Sequence, residues 1–227
     1  MNGFLTAGMG KIQMVVYLVR IAAIFIAIPA HEMAHAWVSS KLGDDTAKRY
    51  GRLTMNPMAH FDLMGALCML LAGIGWAKPV PANVRNFKNP KAGMAITAAA
   101  GPVMNLLLAY VGMILYKLVY YKSNGMAVEM VLVALSVFIS INISLTVFNL
   151  LPIPPFDGSR LATVFLPTRT YFKIMEYEKY IMVGILLVVW LGLLDLPLSI
   201  LNSWVWHFLD WGTGYLDPIL MGSFAYI

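Results

Sequence analysis

His31-Glu32-Met33-Ala34-His35 reads H-E-x-x-H and lies inside an apolar stretch running from about Met14 to Leu42. On a helix, residues four apart share a face, so His31 and His35 can reach one ion together. Two imidazoles so placed are a zinc-binding pair, and the glutamate beside them is positioned as a general base. The apolar setting adds a second argument. A charged group at mid-bilayer costs about 2.5–3.5 kcal/mol on insertion scales, so ionisable side chains inside a span point to function. The stretch therefore predicts a zinc-dependent hydrolytic centre within a membrane.

Composition agrees with the setting. The chain has 227 residues, 60% of them hydrophobic and 12% charged, against about 25% charged in soluble domains. The expectation is a single integral membrane domain over residues 1–227, with a core at about 15–160 and C-terminal helices at about 161–227. Net charge is +5, which short membrane loops explain through the positive-inside rule. No basic run interleaved with aromatics speaks for nucleic acid. The single cysteine, Cys68, allows no intrachain disulfide and reads as a small buried apolar residue.

Hydropathy marks clear spans at Met14–Leu42, Ala92–Tyr121 and Met126–Leu151, each long enough for a crossing of about 20 residues. Tyr180–Leu194 reads as a further span, and Pro197–Trp211 as a last span or an interfacial helix. Phe61–Ala72 is apolar but short. Gly73-Ile74-Gly75-Trp76 breaks it, and the alternating prolines and valines of Lys78–Val84 read as an extended hairpin over 73–87. The predicted fold class is thus an all-α polytopic membrane protein. It has about four to six transmembrane helices around a three-helix zinc-binding core, and a short re-entrant β-hairpin-like segment.

Segments 41–60, 77–91 and 158–179 hold twelve of the sixteen Lys and Arg residues. The positive-inside rule makes these faces cytosolic. His31 and His35 then lie in the cytosolic half of the first span. Asn105 lies at a similar depth in the second, about 15 Å in at 1.5 Å per residue. Asp157 follows the third span where the chain returns to that side. Catalytic zinc usually takes three protein ligands and leaves one position open. Asp157 is the best third ligand, because the Pro152-Ile153-Pro154-Pro155 break lets irregular backbone turn it inward. It can also be read as a cap for a helix starting near Gly158. Asn105 fits an interhelical hydrogen bond as well as a substrate contact. His60 reads as a solvated or capping histidine in a loop, and His207, between Trp206 and Phe208, as part of an aromatic interface belt.

Four ordered elements resemble the site-2 protease family of intramembrane zinc metalloproteases. They are His31–His35, Gly73-Ile74-Gly75 with the extended segment after it, Gly101-Pro102-Val103-Met104-Asn105, and Asn149–Gly158. The resemblance is to a short subgroup without PDZ or CBS domains. It implies one zinc ion on His31, His35 and Asp157, catalysis by Glu32, and contact with substrate or intermediate by Asn105, Asn149 and the Gly73 and Gly75 segment. The implied activity is cleavage of peptide bonds in or near transmembrane segments of other membrane proteins. The implied partners are a transmembrane substrate and the lipid bilayer. The implied location is the cell membrane, multi-pass, with the active site in its cytosolic half. Two departures stand out: Ala34 where many members carry Gly, and Phe156 where Leu is usual. Neither removes a chemical group. The rival reading is a non-proteolytic scaffold or a zinc-binding transporter of the same fold, and oligomeric state is not legible.

Overall fold

The computed structural model describes residues 11–62, 77–122, 125–167 and 176–222, with isolated positions at 65, 170, 173 and 174. Helix α1 (Lys11–Lys41) carries the H-E-x-x-H stretch and Pro29. A short helix α2 (Thr46–Arg49) follows. Helices α3 (Pro90–Lys122) and α4 (Met126–Asn149) form an antiparallel pair. The short α5 (Asp157–Leu161) follows the proline-rich break. The last helices are α6 (Glu178–Trp190), α7 (Asp195–Gly212) and α8 (Leu216–Gly222). Among the described residues, α1, α3 and α4 are long and apolar enough to cross a membrane. A fourth crossing is reached if α6 and α7, which bend by 86° at their junction, form one broken span. Against the expected four to six, the described residues hold three such helices, or four crossings with the bent pair, and most of the short apolar stretch Phe61–Ala72 lies outside them.

Small residues set how the bundle closes. Ala23, Ala27, Ala30 and Ala34 are buried along α1, and Ala95, Ala98, Gly101 and Ala109 along α3. Lipid is as apolar as leucine, so close backbone packing and polar contacts hold such helices together. Large side chains such as Phe25, Ile26, Val103 and Leu107 point outward instead. Ala34, the first departure from the family pattern, is itself buried, so its methyl packs within this seam. On the other side of α3, Ala109 and Met113 pack with Ile139, Ile143 and Val147 of α4 and with Leu209 of α7. Lys117 of α3 is buried and pairs with Asp210 at 3.0 Å and Asp217 at 2.9 Å. Those bridges tie the C-terminal helices to the α3 end opposite the histidines.

The β-hairpin-like segment is a correction. No strand occurs among the described residues, and the one pairing there is an isolated antiparallel bridge between Phe61 and Ala77. Gly73 and Gly75, with the rest of 73–76, lie outside the described residues. Residues 78–83 run without a ladder, and Val84–Asn86 forms a single 3-10 turn. Pro79 and Pro81 have no N–H to offer a ladder. Pairing stops at that bridge, where Lys78 N bonds to His60 O at 2.7 Å, and farther on Asn83 N is taken up by Asp44 Oδ2 at 2.7 Å. His60 is likewise buried rather than solvated; it follows the 3-10 turn Pro57–Ala59 as its C-cap residue, and its Nε2 lies 2.8 Å from Thr54 O.

Asp44 organises this loop layer. It is fully buried and accepts from Thr46 N at 3.1 Å, Asn86 Nδ2 at 2.7 Å, Ser39 Oγ at 3.2 Å and Asn83 N. Burial pushes its carboxyl up, but the hydrogen bonds from Thr46, Asn83 and Asn86 outweigh that and hold it below the usual range. A carboxyl depressed in the folded state stabilises fully above its unfolded pKa of about 3.9, and this is lost as pH falls through the folded value. Hydrogen-exchange protection at Asn83 is therefore expected to drop below about pH 4. Asp44→Ala is expected to remove that acid transition and to cost about 1–3 kcal/mol in thermal unfolding in detergent.

Candidate metal centre

The two histidines leave α1 one turn apart, with ring centroids 4.6 Å apart and planes at 86°. Both are buried. Asp157 opens α5, and the chain break before it brings the carboxylate back to α1 across 126 residues of sequence. His31 Nε2 lies 3.1 Å from Asp157 Oδ2, His35 Nε2 lies 3.1 Å from the same oxygen, and the two Nε2 atoms are 3.0 Å apart. The cap position of α5 is Phe156, and Asp157 is the first residue inside the helix.

The fit to a divalent ion can be judged from this geometry. Two imidazole nitrogens and a carboxylate oxygen are an ordinary zinc donor set, and the described residues contain this one cluster of its kind. Ligands at 2.0–2.2 Å in a tetrahedron lie about 3.3–3.5 Å apart, so the triangle need open by only a few tenths of an ångström. His35 Nδ1 sits 2.7 Å from the Thr97 carbonyl oxygen, which accepts its proton and leaves Nε2 with a lone pair toward Asp157. Room for the rings comes from Gly101: a Cβ there would sit 2.5 Å from His31 Nε2 and closer still to His35 Nε2. Gly158 has a similar duty, since its Cβ would collide with the Leu150 and Leu151 carbonyls. The residues present fit zinc.

A cavity of about 450 Å³ opens onto the cluster. His31, Glu32, His35 and Asp157 all line it, with Asn149 and the loop residues Ala77, Pro79, Val80 and Ala82 among its walls. Asn149 Nδ2 donates to Leu145 O at 2.9 Å, within its own helix. Phe156, the other departure from the family pattern, packs against Phe148 at 4.4 Å and shapes the same wall. Of the two roles the sequence allowed Asn105, the interhelical hydrogen bond is the one seen, to His31 of α1. Asn105 is fully buried beside His31 and is not among the lining residues. Arg160, not singled out from sequence, lines the cavity, as does Glu178. Arg160 stands three residues after Asp157 on one short helix, a spacing that puts both on one side.

Comparison with known proteins adds the lineage. The family model described as Peptidase family M50 matches residues 117–192, a stretch that holds Asp157 but not the two histidines. The chain is 41% identical over 165 residues to the Bacillus subtilis protein named "Putative zinc metalloprotease YwhC", covering 70% of this chain and 74% of that one. It is 28% identical over 201 residues to "Putative zinc metalloprotease Rip2" of Mycobacterium tuberculosis, covering 86% and 73%. It is 28% identical over 177 residues to "Putative zinc metalloprotease MJ0611" of Methanocaldococcus jannaschii, covering 73% and 84%. No solved structure matches it significantly. With two-fifths identity sustained over most of both chains, and apolar helices that can cross a membrane, this chain belongs to peptidase family M50, the site-2 protease family of membrane zinc metalloproteases.

Proposed function

We propose that the chain is a zinc-dependent intramembrane endopeptidase, with His31, His35 and Asp157 holding one zinc ion and Glu32 as general base. The observation that supports this is the meeting of three ligand atoms within 3.1 Å on a cavity whose wall includes Glu32. Zinc held by such a set supplies a Lewis acid that polarises a carbonyl and lowers the pKa of water to about 7. Glu32 removes the proton from the attacking water and returns it to the nitrogen of the leaving amine. Asp157 and the histidines keep the donor atoms facing one point, and the loop at 77–82 screens that point from bulk water.

The substrate class is a single transmembrane segment. A regular helix turns its carbonyls into its own hydrogen bonds, so the segment must unwind locally before Glu32 can act on it. Asn149, on the cavity wall, is placed to contact that unwound backbone. By the charge asymmetry of its loops, the site works in the cytosolic half of the bilayer.

The test is purified protein assayed against a panel of transmembrane peptides, with metal analysis alongside. One zinc per chain is expected, with cleavage lost on chelation and regained on adding zinc. Stoichiometric zinc without cleavage across a broad panel would favour a scaffold or transporter. A metal-replete preparation that holds no zinc would overturn the scheme.

A further inference from the structure

Helix α3 touches the second ring nitrogen of each histidine. For His35 the partner is the Thr97 backbone carbonyl, which fixes the tautomer whatever side chain stands at 97. His31 meets a side chain instead: as the amide is placed, Asn105 Nδ2 lies 3.2 Å from its Nδ1, and turning the amide over puts Oδ1 there. That amide is fully buried, and its other end, Oδ1, has no hydrogen-bond partner among the described residues. The oxygen and nitrogen of an amide are told apart by their hydrogen bonds. With the NH2 toward His31, the amide donates to Nδ1, and a neutral ring must then carry its proton on Nε2, against His35 and Asp157. With the oxygen toward His31, Nδ1–H donates to it and Nε2 offers a lone pair, matching His35. Only the second orientation leaves both Nε2 atoms free to ligate one cation.

We infer that Asn105 is a positioning residue of the metal centre, its side-chain oxygen accepting the Nδ1 proton of His31 and holding the ring in the ligating tautomer. This is the interhelical one of the two roles the sequence allowed, and Asn105 stands behind the ring and is not among the residues lining the cavity. The inference rests on the zinc reading above. It also gives the G-P-x-x-N stretch a joint role: Gly101 makes room for the rings, and Asn105, one turn on, orients one of them.

The experiment compares full-length wild type, Asn105→Leu, Asn105→Ala and Asn105→Asp for zinc affinity by chelator competition, with thermal unfolding of the metal-free forms. Leu and Ala remove the acceptor, and each is expected to weaken zinc about 10–100-fold. Asp keeps an acceptor and cannot donate, so it is expected to restore affinity to near the wild-type value. Leu or Ala binding zinc as tightly as wild type would overturn the inference. So would Asp weakening zinc as much as Leu does, since that outcome means the amide donates or serves packing alone. If neither apolar variant folds, the Asp variant decides by the same criterion. Wild type that holds no zinc would bring down the zinc reading itself, and this inference with it.

Discussion

Glu32→Gln is expected to keep zinc and lose cleavage by about 10²–10⁴-fold, the usual contribution of a positioned general base. Gln has the same length and shape, so packing around α1 is preserved. Its amide oxygen still accepts a hydrogen bond but cannot take a proton and hand it on. Glu32 is half-buried on the cavity wall and is not one of the three clustered ligand atoms, so metal content should be unchanged. The measurement pairs zinc analysis with peptide cleavage on the same preparations. Loss of zinc in step with cleavage would show that Glu32 acts on the metal site rather than on the water. Retained cleavage would move the base to another group on the wall.

Gly101→Ala should be nearly as damaging, for a steric reason. The added Cβ would lie within van der Waals overlap of both imidazoles. Neither ring can retreat freely, because His35 is held at the Thr97 carbonyl and His31 at Asn105. The helices must therefore part or the rings must turn. Overpacking of this kind costs about 1–3 kcal/mol. The histidines would no longer face Asp157 together, so zinc affinity and cleavage are expected to fall with it. Gly184 of α6 is the control, as a Cβ there meets nothing within 4 Å. Gly184→Ala should leave zinc unchanged and stabilise by up to about 1 kcal/mol through helix propensity. If Gly101→Ala binds zinc like wild type, the close approach of α1 and α3 is not what shapes the site.

These residues also mark how far the sequence could be read. The spacing of His31 and His35, the basic loops and the proline break before Asp157 are local signals, and depth along each span brought them to one level. The structure places their donor atoms 3.0–3.1 Å apart. Asn105 was legible as a polar residue at that depth, but which side of a ring it stands on depends on how α1 and α3 cross. That crossing follows from alanine seams whose partners cannot be assigned from one chain of letters. The loop at 77–87 failed for a related reason. Alternating prolines do favour extended backbone, yet a hairpin needs a pairing edge, and here Pro79 and Pro81 have no N–H to give while Asp44 takes up the donor at Asn83. Asp44 itself looks like any loop acid in the sequence; its burial appears only when residues 39, 46, 83 and 86 meet around it.

The distance along the chain between His31 and Asp157 has a consequence for how the protein is made. The proposed ligands come from the first span and from the turn after the third, 126 residues later. During synthesis the first span inserts with two histidines and no third donor, and a polypeptide halted before Asp157 holds an incomplete set. The metal can join the cluster only after the third span has entered and folded back. Once there it acts as a cross-link between the earliest and latest parts of the core, adding about 2.7 kcal/mol to the folded state at a free concentration a hundredfold above its dissociation constant. On the proposed ligand set, hydrolytic competence would be tied to completed assembly, and a half-built chain would lack the third donor.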